Sequence, residues 1–222
     1  MTNATPSGNP QVYAQFCRVP LERRGVPLRR LLGSGAYGSV WSTDGGDIVK
    51  LTADADEARF AAWLRQQGKP PAMFPRIRGV WELDCARRAD LAPAYAIRRE
   101  ALKAAPAWLE HTIAMIGEAL SKPVSRDVRR CPDRRIVEAL YEIRVVEERR
   151  PSAAGLLDAA VELFEWASGN SVVMDDLHSD NFGVRTGSAI PVIRDLGFSD
   201  KPRLRTVAVP LRGAFDHLTG PR

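Results

Sequence analysis

The sequence has few cysteines, no long apolar run and few aromatic residues. Its three cysteines, Cys17, Cys85 and Cys131, are far apart, odd in number and form no Cys-x-x-Cys pair. This pattern predicts a reducing compartment, the cytoplasm, and argues against a structural zinc site. No run of about 18 apolar residues is present, so we expect no transmembrane helix and no membrane partner.

The amino-terminal stretch lacks the charged and apolar regions of a signal peptide. It is small and polar and contains proline and glycine, so we expect residues 1–11 to be a disordered tail. The whole chain has 222 residues, which suits one medium domain or two small lobes that share a cleft. Hydrophobic residues make up 45% of it, which is enough for a core.

The chain carries a net charge of +5, and arginine far outnumbers lysine. A basic balance can indicate a nucleic-acid partner. Here, however, the arginines are scattered among acidic residues, as in "CARRADLAP" and "EIRVVEERRP", and aromatic residues make up only 7% of the chain. We therefore expect a solvated surface rather than a nucleic-acid interface.

Residues 12–101 have the pattern of a small sheet with one helix. The segments "VPLRRLLGSG", "YGSVWST" and "DIVKLT" predict three strands, with "DGG" as a hairpin turn. "PPAMFPRIRGVWELD" and "PAYAIRRE" predict two more, the first interrupted by Pro75. The helix lies in "DADEARFAAWLRQQG", where we expect Asp54 as the N-cap, Glu57 three residues later and Gly68 past the end.

The apolar spacing in residues 102–222 predicts mainly helices. The segments are "PAWLEHTIAMIGEALSK", "PDRRIVEALYEIRVVEER" and "PSAAGLLDAAVELFEWASG", the last beginning at a Ser152 cap and stopping at Gly169. The apolar faces consist of Leu109, Ile113, Ile116 and Leu120, then Ile136, Leu140 and Ile143, then Leu156, Leu157, Val161 and Phe164. Strands followed by helices predict an α+β fold with two lobes.

A glycine-rich segment, "LLGSGAYGSVW", places Gly33, Gly35 and Gly38 in the Gly-x-Gly-x-x-Gly spacing. A dinucleotide-binding loop would need a helix after the glycines, whereas a strand is predicted here. A glycine-rich strand–turn–strand lets backbone N–H groups approach nucleotide phosphates, because side chains are missing. Lys50 follows in the strand "DIVK", where a buried lysine needs an anionic partner. The alternative is an edge hairpin with an exposed lysine.

Polar residues are concentrated in "MDDLHSDNFGV", residues 174–184, which contains Asp176, His178 and Asn181. A further aspartate, Asp195, stands between apolar neighbours in "VIRDLGF". Carboxylate and amide oxygens at such positions suit a hard metal ion that binds nucleotide phosphates. The alternative is a polar loop followed by a strand.

These features occur in the order "GSGAYGSV", Lys50, "DDLHSDN" and "RDLG", which resembles the protein-kinase superfamily. Asn181 follows Asp176 by five residues and Asp195 follows Asn181 by 14, close to the intervals in that family. The Asp-Leu-His-x-x-Asn form is similar to that of aminoglycoside and choline phosphotransferases and of short phage and bacterial kinase-like proteins. The resemblance spans residues 28–198. It implies an N-lobe at residues 12–101, with the five-stranded antiparallel sheet and one helix, and a mostly helical, truncated C-lobe at residues 102–222.

The resemblance implies that the protein binds ATP and Mg²⁺. Asn181 and Asp195 would bind the metal, and Asp176 would orient the attacking hydroxyl or accept its proton. His178 would stabilise charge on the transferred phosphoryl group. Lys50 would hold the α- and β-phosphates of the nucleotide.

The resemblance also implies a set of nucleotide-binding residues. The glycine loop would cover the phosphates, and the backbone near Glu100 and Leu102 would bond the edge of the base. The adenine pocket would be lined by Leu32, Val40 and Ile48. Glu57 is the candidate ion-pair partner of Lys50, which it follows by only seven residues, and it fits a capping-box glutamate equally well.

Two departures from the family pattern narrow the implied function. Asp175 stands where many regulated kinases have arginine, which argues against control by activation-loop phosphorylation. Only 25 residues follow Gly197, so we expect the platform that holds peptide or small-molecule acceptors in this family to be largely absent. We expect a minimal ATP-dependent protein serine/threonine kinase, acting on an unidentified protein or on its own chain. The alternatives are a small-molecule phosphotransferase, a nucleotide-binding pseudokinase that docks to a partner, and a nucleotidyl transferase.

Overall fold

The computed structural model describes residues 17–35, 38–67, 69–83, 94–121, 133–170, 173–174 and 177–195. The predicted tail at residues 1–11, together with Gly68, Asp175, Asp176 and Gly197, lies outside the described residues. The chain divides into two compact units, residues 1–70 with 76–101 and residues 71–75 with 102–222. None of the helices in the described ranges has the length and apolar content that spanning a bilayer requires.

Five strands of the first unit form one sheet. They are β1 (Leu31–Gly35), β2 (Gly38–Ser42), β3 (Asp47–Thr52), β4 (Ile77–Leu83) and β5 (Ala94–Glu100). Their order is β1-β2-β3-β5-β4, and every neighbouring pair is antiparallel. The turn between β2 and β3 contains Gly46 at φ +75°, a conformation that glycine adopts without steric cost. The five-stranded antiparallel sheet predicted from the sequence is confirmed.

The two faces of this sheet carry different residues. Lys50 pairs in register with Val40 on β2 and Ile97 on β5, so these three residues share one face. The opposite face contributes Trp41 and Val49 to a buried core. That core also contains Cys17, Leu21, Val26 and Leu28, from a segment that includes a short helix, α1 (17–22). The sequence analysis did not predict α1.

Helix α2 (Ala55–Gln66) follows β3 and begins where the sequence predicts. The Asp54 carboxylate accepts the backbone N–H groups of Asp56 at 2.8 Å and Glu57 at 3.1 Å. These bonds satisfy two of the donors that the start of a helix leaves without intrahelical partners. The helix buries one apolar face, which includes Phe60, Ala61 and Leu64.

In the described part of the second unit there are three α-helices: α3 (Glu110–Leu120), α4 (Arg134–Arg149) and α5 (Leu156–Asn170). The predicted apolar faces of α3 and α4 are confirmed. The predicted residues are at most 2% exposed, including Leu109 in the 3-10 turn before α3: Leu109, Ile113, Ile116, Leu120, Ile136, Leu140 and Ile143. On α5, Leu156 and Phe164 are buried, whereas Leu157 and Val161 are half-buried. Together with the sheet, these helices confirm the α+β class.

The predicted start of the third helix at a Ser152 cap is wrong. Residues Pro151–Ala153 form a separate 3-10 turn, and α5 begins at Leu156. Gly155 has φ +83°, which separates the two helical segments. The cap comes instead from Glu147 on α4, whose carboxylate accepts the N–H of Gly155 at 2.6 Å and that of Leu157 at 3.2 Å. The helix also continues through Gly169 to Asn170.

A small antiparallel sheet completes the second unit. Its strands are β6 (Lys103–Ala104), β7 (Phe182–Val184) and β8 (Pro191–Ile193), in the order β6-β7-β8. A 3-10 turn, Ser179–Asn181, leads directly into β7. This sheet therefore positions the polar residues that precede β7 and follow β8.

Candidate functional site

The glycine segment forms the β1–β2 hairpin. Gly33 pairs in register with Val40, and Gly35 pairs with Gly38. A Cβ atom at Gly38 would overlap the backbone carbonyl oxygen of Leu51 on β3, so the fold itself requires glycine there. Among the described residues, a Cβ atom at Gly33 would meet no heavy atom within 4 Å apart from those of its chain neighbours. Packing within the described residues therefore explains Gly38 but not Gly33.

Lys50 and Glu57 form a buried ion pair in the first unit. Lys50 Nζ lies 2.8 Å from Glu57 Oε1, and the two side chains are 9% and 3% exposed. Asp54 caps α2, and its own backbone N–H donates to Thr52 Oγ1 at 3.1 Å. The structure thus places the Glu57 carboxylate against Lys50, the first of the two roles that its position in the sequence allowed.

The proposed nucleotide-lining residues differ in their exposure. Leu32 is 46% exposed, whereas Val40 and Ile48 are half-buried. Glu100, the last residue of β5, donates its backbone N–H to the Arg76 carbonyl oxygen at 3.2 Å. Its carboxylate accepts the N–H of Arg76 at 2.8 Å. The Glu100 N–H is therefore bonded to the residue that directly precedes β4.

The polar segment before β7 contacts α3 through Met174 and Leu177. The Met174 N–H donates to the Leu120 carbonyl oxygen at 3.0 Å, and Met174 is fully buried. A Cβ atom at Gly117 of α3 would overlap the Leu177 carbonyl oxygen and lie 3.2 Å from Leu177 Cβ. The absence of a side chain at Gly117 therefore lets this segment approach the helix closely. His178 follows, with its side chain 56% exposed.

Asn181 and Asp195, the proposed metal ligands, stand at the same end of the β7–β8 hairpin. Phe182 pairs with Ile193, so Asn181 lies beside Arg194. The Arg194 N–H donates to the Asn181 carbonyl oxygen at 2.6 Å, which ties the backbone of one candidate ligand to the neighbour of the other.

Both candidate ligands are half-buried, and their amide and carboxylate oxygens suit Mg²⁺. No group of three or more His, Cys, Asp or Glu side chains suited to a metal occurs among the described residues.

Arg194 is a site residue that the sequence analysis missed. Burial lowers the pKa of its guanidinium, and the charge of Asp180 acts in the opposite direction. Nη2 of Arg194 donates to the Leu102 carbonyl oxygen at 3.4 Å. A Cβ atom at Gly183 would lie 2.5 Å from Arg194 Nε, so this glycine makes room for the arginine. A glycine inside the short apolar run "FGV" was the available signal, because strand glycines often mark a close approach.

A cavity of about 320 Å³ lies beside Arg194 within the second unit. Part of the cavity wall consists of small or apolar side chains, and part consists of charged side chains. Its lining includes Ala104, Pro106, Glu110, Ile113, Asp180 and Arg194.

No family model matches the chain, and no curated protein matches it. Solved structures do match, among them the crystal structure of Rad53 1-466 in complex with AMP-PNP. That match is 16% identical in sequence, has a TM-score of 0.35 and covers 78% of this chain. The chain spans 38% of the length of that protein. A likeness at this level assigns neither a family nor an activity, and the function is inferred from the residues of the site.

Proposed function

We propose that this protein is an ATP- and Mg²⁺-dependent phosphotransferase. The observation that carries the proposal is the buried pair of Lys50 and Glu57 on the sheet of the glycine hairpin. Burying two charges costs free energy that their mutual attraction often fails to repay. A well-packed apolar pair would serve the fold equally well. A fixed ammonium group next to a glycine hairpin instead suits the phosphates of a nucleotide.

The remaining residues supply the parts that phosphoryl transfer needs. Asn181 and Asp195 would hold the metal from one end of the β7–β8 hairpin. Bound Mg²⁺ would neutralise charge on the phosphates. Asp176 orients the acceptor hydroxyl, and His178 stabilises charge on the transferred group. Gly33 allows the hairpin backbone to approach the phosphates, which is consistent with the open space around it.

The acceptor that we favour is a serine or threonine hydroxyl of a protein. The side chains of His178 and Asp180 are 56% and 92% exposed. A large acceptor such as a protein could therefore reach this part of the surface. A small-molecule acceptor is the second candidate. It is favoured by the cavity beside Arg194, whose volume of about 320 Å³ lies at the lower end of the range of ligand pockets.

The test is incubation with γ-labelled ATP and Mg²⁺, followed by separation of protein from small molecules. We compare the wild type with Asp195→Asn and with the control Asp44→Asn, which removes an exposed carboxylate paired with Arg29. Transfer should fall by about 100-fold or more in Asp195→Asn, because a charge-stabilising group is lost, and persist in Asp44→Asn.

Each outcome of this test has a separate meaning. Label on protein supports the protein kinase, and label on an added small alcohol supports the second candidate. Stabilisation by ATP and Mg²⁺ without any transfer would indicate a docking protein instead. Equal transfer by Asp195→Asn and the wild type would show that the metal site is assigned wrongly.

A further inference from the structure

Residues Pro71–Pro75, "PAMFP", belong to the helical unit although they lie between α2 and β4 in the sequence. Met73 is 0% and Phe74 is 1% exposed. The Phe74 ring packs edge-on against Trp166 of α5, with ring centroids 4.7 Å apart. The Phe74 N–H donates to the Pro71 carbonyl oxygen at 3.0 Å, so the segment is a tight turn. It is a buried part of the unit that also contains β7 and β8.

Side chains distant in the sequence bind the backbone of this turn. The Glu162 carboxylate accepts the Ala72 N–H at 3.1 Å. Arg185, which directly follows β7, donates from Nη1 to the Ala72 carbonyl oxygen at 2.6 Å and from Nη2 to the Phe74 carbonyl oxygen at 2.8 Å. The planar guanidinium thus bridges two carbonyl groups, a geometry that a lysine ammonium does not reproduce. The residue between the two bridged carbonyls is Met73.

The Met73 carbonyl oxygen accepts the N–H of Ile193 at 2.9 Å. Ile193 is the last residue of β8 and lies two positions before Asp195. One side of β8 is therefore paired with β7, and Ile193 is also bonded to the buried turn. The Met73 carbonyl thus joins the buried turn to the strand end two residues before Asp195.

We propose that Arg185 is a positioning residue for the metal ligand Asp195. By bridging the carbonyls of Ala72 and Phe74, it fixes the Met73 carbonyl that holds β8. Arg185 itself does not touch the metal or the nucleotide in this scheme. The inference rests on the proposed function, because it takes Asp195 as a Mg²⁺ ligand.

The test uses the full chain and titrates Mg²⁺ at a fixed ATP concentration, with the rise in melting temperature as the readout. We expect the half-saturating Mg²⁺ concentration to rise about tenfold in Arg185→Gln, the lower end of the effect of residues that orient a metal ligand. Arg185→Lys should show a smaller rise. Deuterium uptake of residues 191–195 should increase in the same variants, since the Ile193 N–H loses its fixed acceptor.

Two variants serve as matched controls. Glu162→Gln keeps an oxygen that accepts the Ala72 N–H, and we expect wild-type Mg²⁺ dependence. Arg144→Gln removes another arginine of the same unit, which pairs with Glu148 on the surface of α4. It should also leave the Mg²⁺ dependence unchanged.

The inference fails if Arg185→Gln lowers the melting temperature of the nucleotide-free protein but keeps the wild-type half-saturating Mg²⁺ concentration. Arg185 would then be a structural residue only. If Arg185→Gln does not fold, the same comparison is made with Arg185→Lys. If the wild type itself shows no stabilisation by ATP and Mg²⁺, the proposed function is wrong and the inference falls with it. The two failures are therefore distinguishable.

Discussion

Replacing Lys50 or Glu57 singly by an apolar residue is expected to destabilise the protein strongly. The two side chains are 9% and 3% exposed and 2.8 Å apart, so either single change leaves one charge buried without its partner. Such changes typically lower the free energy of unfolding by about 3–5 kcal/mol. We therefore expect Lys50→Met and Glu57→Leu each to lose an amount of this order, measured by urea unfolding.

The double variant Lys50→Met/Glu57→Leu should recover most of that loss. Replacing a whole buried ion pair by apolar side chains of similar volume is often neutral, or stabilising by about 1–4 kcal/mol, because no charge has to be desolvated. The same variant should no longer be stabilised by ATP and Mg²⁺, since the ammonium group that holds the phosphates is gone. If this double variant folds but does not bind ATP, the ion pair is needed for nucleotide binding and not for the fold.

The control is the pair of Arg29 and Asp44 in the same unit, whose side chains are each 58% exposed. Breaking this pair should change the unfolding free energy far less, because solvent screens exposed charges. Two results would refute the reasoning. If the double variant unfolds as easily as the less stable of the two single variants, an unpaired buried charge is not the cause of their lower stability. A double variant that binds ATP like the wild type would remove Lys50 from the phosphate site.

Three glycine substitutions give further predictions. Gly33→Ala should change the unfolding free energy by less than about 0.5 kcal/mol and still weaken ATP binding by calorimetry; unchanged binding would contradict phosphate contact at the hairpin. Gly38→Ala should cost about 1–3 kcal/mol, because its Cβ overlaps the Leu51 carbonyl oxygen. In Gly117→Ala, alanine favours the helix by about 1 kcal/mol, but overlap with the Leu177 carbonyl oxygen outweighs this gain. We expect lower stability and slower turnover, and a more stable Gly117→Ala would contradict the close approach.

Much of the fold could be predicted from the sequence because its signals are local. The alternation of apolar and polar residues around a glycine turn predicted the sheet, and Asp54 indicated the start of α2. The elements that were missed have weak local signals. Helix α1 has six described residues, and β6, β7 and β8 have only two or three residues each. The start of α5 was misplaced because its cap comes from Glu147, eight residues before the N–H of Gly155 that it accepts.

In the candidate site, too, local sequence patterns were predictive and long-range contacts were not. The order of the motifs indicated the candidate site residues, but not the contacts that hold them in place. Glu57 fitted two roles, and only the folded backbone places its carboxylate on Lys50. Arg185 bonds a carbonyl oxygen 113 residues away, a contact that no pattern in the sequence indicates. Long-range side-chain bonds of this kind depend on the packed structure.

The residues that the fold does not need are the strongest guide to the function of this chain. Gly38 and Gly117 are explained by carbonyl groups that a side chain would overlap, so they say nothing about a ligand. Among the described residues, Gly33 has open space around it. Lys50 and Glu57 form a buried ion pair, and such a pair often costs more free energy than apolar side chains of similar volume. A ligand with several negative charges accounts for both features, because it approaches the bare backbone and pairs with the fixed ammonium group. The bare backbone at Gly33 and the buried ammonium group of Lys50 therefore support nucleotide phosphates as the proposed ligand of this sheet.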